Sequence, residues 1–318
     1  MRTGALLHWL RGRGQRFWLL FAAAVLLALT AMRPVLELPR KSYGLLFVLD
    51  ITQSMNTPDA GGAGEPRTRL AAAKDAVREA LLDLPCGSQA GIAVFTEYRS
   101  FLLLAPVDVC AGYAELESTL ERVDWRMGWA GASQVSKGLH FALEIARALD
   151  PRPTLVFITD GHEAPPSNPA LRTPVENGRK RVGGLIVGVG ADALSPIPKF
   201  DMDGNSLGYW AAEEVAQLSV PPPGIGNLDP TDRDAAALRI RRGTEHLSSL
   251  KEAHLKGLAA ETGLHYARLA TPRGLAEALR NPEFARTRPV PTDLRWLLAA
   301  LALAATAAAY APRFSNRI

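Results

Sequence analysis

Two apolar runs that end at an aspartate limit what this chain can fold into. LLFVLD occupies residues 45–50 and TLVFITD residues 154–160. Neither alternates apolar with polar side chains, so each suits a strand buried on both faces rather than one with a wet side. Short runs of this kind belong to a parallel sheet covered by helices, and the sequence around them supplies the helices. Residues 67–84 carry Leu70, Val77, Leu81 and Leu84 at helical spacing. Residues 113–123 read as a second helix and 133–149 as a third, with Val135, Leu139, Leu143 and Ala146 along one face. Pro151 and Pro153 end the third. RVGGLIVGVG, at 181–190, is a further strand; its glycines fit close packing, since no GxGxxG opens a helix there. HLKGLAAETG, HYARL and PRGLAEAL follow as helix, strand and helix. The expected fold is α/β, a doubly wound, mainly parallel sheet over residues 43–280.

The strand ends raise a chemical question. In DITQSMN, Asp50 is followed by Thr52 and Ser54 at alternate positions, and open parallel sheets place ligands at the carboxyl ends of their strands. Two other segments end at that edge. GASQVSKGL brings Ser133 to the start of the third helix, and TLVFITD ends at Asp160. Alone, Ser133 reads equally as a helix cap and Asp160-Gly161 as a turn. Together they offer two carboxylates and three hydroxyls. That oxygen-only set suits a hard cation, Mg²⁺ or else Ca²⁺ or Mn²⁺, with a coordination position left for an outside oxygen.

In this order on a β/α alternation, Asp50-x-Thr52-x-Ser54, Gly131-Ala-Ser133 and Thr159-Asp160-Gly161 resemble the von Willebrand factor A domain. That family's metal-ion-dependent adhesion site is Asp-x-Ser-x-Ser, a Thr from a second loop and an Asp from a third. Thr52 and Ser133 depart from the pattern, and both keep a hydroxyl. The resemblance implies that Thr52 and Ser54 ligate directly, that Ser133, Asp50 and Asp160 do so directly or through water, and that an acidic group of a partner protein completes the shell. DITQSMN, LPCGSQAGIAVFTEYRSFLLLAPVDVC, DWRMGWAG and FITDGHEAPP are also similar to the membrane-anchored A-domain accessory proteins of bacterial methanol oxidation clusters. This narrower likeness implies help with assembly or metal loading of a periplasmic quinoprotein (methanol or alcohol) dehydrogenase. His162 and Glu163, just past the site, either touch the partner or only shape their loop; Trp129, like Trp125, either anchors a partner or is buried under the rim.

The two ends suggest a membrane. FWLLFAAAVLLALTAM carries no charge, follows Arg11, Arg13 and Arg16, and is extended by Leu36 and Leu38 to a candidate span at 17–38. Residues 294–312 form the second, followed by Arg313 and Arg317. The uncharged runs themselves, Phe17 to Met32 and Trp296 to Pro312, are a little short of the ~20 apolar residues a span prefers. The terminal arginines put residues 1–16 and 313–318 in the cytoplasm and the middle of the chain outside, as in a bacterial inner-membrane protein facing the periplasm. The alternatives are a cleaved signal peptide for the first run and a buried Ala-rich helix for the second. If QAGIAVFTE and SFLLLAPVD form a hairpin turning near Tyr98, Cys86 lies opposite Cys110. They are then a disulfide suited to an oxidising compartment, or two buried thiols.

Residues 191–247 read as an insertion, with a hairpin at PKFDMDGNSLGYW and a loop at VPPPGIGNLDPTDRD. Asp201, Asp203 and Asn205 mimic the start of a calcium loop, but the glycine is misplaced and no downstream Glu follows, so a plain turn is expected. A net charge of +4 without a basic, aromatic-studded stripe argues against nucleic acid. G-x-S-x-G, Walker and H-E-x-x-H motifs are missing. The expectation is a non-enzymatic binding module; the alternatives are a metal-independent envelope scaffold and a metal-dependent hydrolase.

Overall fold

The computed structural model describes residues 14–61, 65–128, 131–165, 174–178, 181–215 and 244–311. Trp129, the loop at 220–234, the tail at 313–318 and most of 1–16 lie outside the described residues. The chain divides into two compact units, residues 41–286 and a smaller one from 1–40 and 287–318. In order, the elements are α1 (Gln15–Ala31), β1 (Val35–Asp50), α2 (Arg69–Asp83), β2 (Gln89–Thr96), β3 (Arg99–Asp108), α3 (Tyr113–Arg122), α4 (Val135–Ala148), β4 (Thr154–Thr159), β5 (Gly184–Gly188), β6 (Ser195–Pro196), β7 (Pro198–Phe200), β8 (Ser206–Tyr209), β9 (Leu247–Ser248), α5 (Glu252–Thr262), β10 (His265–Arg268), α6 (Pro272–Leu279), β11 (Ala285–Asp293) and α7 (Arg295–Tyr310).

The main sheet runs β10-β5-β4-β1-β2-β3, parallel except for the antiparallel edge strand β3; β11 also pairs with β1. The two-residue period of β1 sends Leu45, Phe47 and Leu49 into a core with α2, α3 and α6, while Leu46 and Val48 join α4 and α5 on the other face. The alternation of strand and helix thus yields the doubly wound sheet that the apolar runs require. The β2–β3 hairpin turns at Glu97 and Tyr98, with Glu97 at φ 54°. Its register slips at two irregularities around Ile92. Gly91 permits them: a Cβ there would lie 2.9 Å from the Leu104 carbonyl oxygen and 3.0 Å from the Pro106 nitrogen. Beyond the paired residues, Cys86 and Cys110 are joined as a disulfide with Cα atoms 5.3 Å apart.

The smaller unit corrects the extent of the expected spans. Helix α1 stops at Ala31, so Leu36 and Leu38 belong to strand β1 rather than to an extended helix. Arg33 takes a left-handed φ of 49° and Pro34 has no N–H with which to continue the helical ladder. Helix α7 ends at Tyr310, two residues before Pro312. Helices α1 and α7 pack on each other. Among the described residues no helix is long and apolar enough to cross a membrane.

Candidate functional site

Strand β1 delivers Asp50, fully buried, to the carboxyl edge of the sheet between β2 and β4. There the chain turns back on its own carboxylate. Asp50 Oδ1 accepts from the Thr52 N–H at 2.8 Å and from Thr52 Oγ1 at 2.7 Å, while Oδ2 accepts from Thr159 Oγ1 on β4 at 2.6 Å. A single 3-10 turn, Gln53–Asn56, follows and brings Ser54 Oγ to 3.4 Å from Thr52 Oγ1. From the neighbouring strand tip, Asp160 Oδ1 accepts from the His162 N–H at 2.9 Å, and the Ser54 side chain also bonds to Asp160.

Ser133 arrives from the loop before α4. Its backbone exchanges hydrogen bonds with Ala164, and its Oγ donates to the His162 carbonyl at 2.8 Å. It is therefore not the helix cap that its position allowed. Glu163 takes that place: its Oε1 accepts from Ser136 Oγ at 2.9 Å and from the Ser136 N–H at 3.3 Å in the first turn of α4, with His254 Nε2 3.2 Å away. Glu163 is 9% exposed. His162 is 2% exposed, and neither ring nitrogen has a hydrogen-bond partner among the described residues. Burial keeps its pKa below the usual range, so the ring is neutral.

Thr52, Ser54, Ser133 and His162 line one cavity of about 280 Å³. Its opposite wall comes from the insertion, through Ile197 and Trp210. The β7–β8 hairpin is anchored there, because Trp210 Nε1 donates to Gln53 Oε1 at 2.8 Å and the Trp210 N–H donates to the Ile197 carbonyl at 3.0 Å. The expected calcium mimic is the turn of this hairpin, with Asp201 Oδ1 accepting from the N–H groups of Asp203 and Asn205.

One member of the site has no place in the sequence motifs. Arg69, 0% exposed, donates from Nη1 to Asp160 Oδ2 at 2.5 Å and to Ser248 Oγ at 2.6 Å. It also grips Asp59 through Nε and Nη2 at 2.8 and 2.5 Å. The sequence did hold a signal, for Arg69 lies on the apolar stripe of α2 with Ala73, Ala76 and Ala80, where an arginine has no solvent to reach. Gly190, at φ 121°, makes room for it; a Cβ there would come within 2.6 Å of Arg69 Nε.

This arrangement separates the two carboxylates electrically. Burial and then the charge of Asp160 push Asp50 up to about 7, against the hydrogen bonds from Thr159 and Thr52. Burial also works to raise Asp160, but the Arg69 guanidinium and the hydrogen bonds it accepts outweigh this and hold it below the usual carboxylate range. Without a cation, folded Asp50 therefore keeps its proton between its ordinary 3.8 and about 7, where the unfolded chain has lost it. The folded state binds more protons in that window, so this group's contribution to stability falls as pH rises through it. His162 titrates in the opposite sense, so comparison with Asp50→Asn is needed to isolate the effect. In urea unfolding with EDTA, the wild type should lose stability relative to Asp50→Asn between pH 5 and pH 8. A constant difference would contradict a raised Asp50.

Residues 45–162, a stretch that includes Asp50, Thr52, Ser54, Ser133 and Asp160, match the model of the von Willebrand factor type A domain. Among solved structures, BatB from Bacteroides thetaiotaomicron is similar at 16% identity and TM-score 0.49, over 75% of this chain and 95% of that one. An aerotolerance-related membrane protein from Bacteroides fragilis is similar at 18% identity and TM-score 0.48, over 74% and 96%. No curated protein matches the chain.

Proposed function

We propose that this von Willebrand factor type A domain holds one divalent cation, Mg²⁺ or else Ca²⁺ or Mn²⁺, and uses it to recognise an acidic group on another envelope protein. The observation that carries this reading is the cavity floor. Thr52, Ser54 and Ser133, from two separate loops, line it, and the buried Asp50 and Asp160 close the adjacent strands β1 and β4. Every donor is an oxygen, which fits a hard cation. Arg69 offsets one of the three nearby carboxylates, Asp59, Asp160 and Asp50. The remaining negative charge matches a 2+ ion once Asp50 ionises. Thr52 and Ser54 would ligate through their hydroxyls, with Ser133, Asp50 and Asp160 acting directly or through water. The ion supplies an electrophilic position that an outside carboxylate completes. Recognition rather than catalysis is the proposed task.

The envelope setting rests on separate features. Trp18, Phe21 and Leu27 on α1, and Leu301 and Leu303 on α7, are exposed apolar side chains. The two helices have 17 and 16 residues. At 1.5 Å per residue they reach about 25 Å, short of a ~30 Å hydrocarbon core. The Cys86–Cys110 disulfide suits the periplasm. A role in assembling or metal-loading a periplasmic quinoprotein dehydrogenase is the finer reading, supported by the segment likenesses alone.

One observation favours a metal-independent scaffold instead. Asp160 already has the Arg69 guanidinium, and Asp50 is about half protonated near pH 7, so much of the site's charge is settled without an ion. Equilibrium dialysis with Mn²⁺ separates the two readings. One ion per chain is expected for the wild type at pH 8, and none for Asp50→Ala or Thr52→Val, with circular dichroism confirming that both variants fold. No ion on the wild type sinks the metal reading and leaves the scaffold.

A further inference from the structure

We infer that the insertion turns the hydroxyl floor into a socket for a single carboxylate borne on an apolar body, as opposed to a flat acidic protein face. This deepens the metal-dependent reading and rests on it for the carboxylate end. Three observations carry it.

The first is size. At about 280 Å³ the cavity is at the lower end of ligand-pocket sizes, fit for one side chain, one chain terminus or one small acid. The second is the wall facing the floor. Ile197, Trp210 and Pro165 present apolar surface, and the indole is fixed on both sides, by Gln53 on the candidate metal loop and by Lys199 Nζ 4.6 Å above its ring. A fixed aromatic wall gives contact area with little ordering cost on binding. The third is His162. It lines the same cavity, is almost wholly buried, and has both ring nitrogens unpartnered among the described residues. Buried polar atoms are nearly always satisfied, so an unpartnered imidazole among the lining residues is a group that a ligand atom could complete. A neutral ring can donate one hydrogen bond to a carboxylate oxygen, the second oxygen being left for the floor.

Two glutamates also line the cavity, and neither overturns the sign of the ligand. Glu214 is ion-paired with Lys199 and accepts from the Ala211 N–H. Glu245 is partly buried and feels the charge of Lys251.

The test is calorimetric titration of the full chain in nanodiscs with MgCl₂ at pH 8, using acetate, 3-phenylpropanoate and the peptide Ala-Ala-Ala-Ala-Phe with a free carboxyl end. 3-Phenylpropanoate is expected to bind at least tenfold more tightly than acetate. Trp210→Ala should bring the two acids within about twofold of each other, while Trp210→Phe, which keeps an aromatic wall and serves as the folding control, should retain most of the preference. His162→Ala should weaken 3-phenylpropanoate about fivefold. Equal affinity for the two acids, or indifference to Trp210→Ala, overturns the socket even if Mn²⁺ still binds. If the preference and its dependence on Trp210 persist in EDTA, the socket stands and the metal reading fails. Peptide binding as tight as that of the free acid assigns the socket to a protein chain end; binding of the free acid alone assigns it to a small molecule.

Discussion

Replacing Arg69 with methionine is expected to cost the domain about 3–5 kcal/mol, the range found when one partner of a buried ion pair is removed. The guanidinium is wholly inaccessible, as is the carboxylate of Asp160, and the Asp59 side chain is only 11% exposed. Methionine fills much of the same volume but leaves Asp160 and Asp59 without their cation and Ser248 Oγ without a donor. Asp160 would then lose its largest stabilising partner and move towards the protonated form. Urea unfolding at pH 7 measures the loss. Adding Asp160→Asn to the methionine variant should recover part of it, because one stranded charge disappears. A loss below about 1 kcal/mol would show that solvent or an alternative partner reaches these carboxylates, and that Arg69 is not the internal counter-ion described above.

Removing the disulfide is the second large effect. Cys86 and Cys110 are 24 residues apart and close a loop that contains the whole β2–β3 hairpin. The chain-entropy estimate for a loop of that size is about 3 kcal/mol. The double variant Cys86→Ser/Cys110→Ser should lose about that much. The same loss should appear when the wild type is treated with dithiothreitol, and the reductant should do nothing further to the variant. Strand β3 is the sheet's antiparallel edge, so it should lose protection first; hydrogen exchange on residues 99–108 of the reduced protein reads this directly. Unchanged stability on reduction would mean that the hairpin is held by pairing and packing alone.

The sheet was legible because its signal is local. A strand buried on both faces must be apolar at consecutive positions, and LLFVLD and TLVFIT satisfy that without reference to anything distant. The hairpin was legible in outline but not in register. Its turn lies where the two apolar runs meet, yet the slips around Ile92 depend on the backbone of β3 passing close to Gly91. The smaller unit was misread in extent. Hydropathy alone continued the first apolar run through Leu36 and Leu38, whereas Pro34 ends the helical bonding and the residues beyond it enter a strand that pairs with β11.

For the site, the sequence by itself offered the candidate oxygens. Asp50, Thr52, Ser54, Ser133 and Asp160 sit at the ends of strands or starts of helices, and a parallel sheet has no alternative but to gather such positions on one edge. Only the tertiary structure decided how that edge is charged and how it is covered. Arg69 comes from a helix, Asp59 from a loop and Ser248 from the far side of the insertion, and no spacing links them. Glu163 faces inward because the first turn of α4 needs an acceptor, a demand visible only once α4 has been placed. Trp210 closes the cavity through a bond to Gln53 across 157 residues of sequence. Local pattern encodes a backbone's own requirements, while burial of charge is a bargain among distant elements that is struck only when they pack.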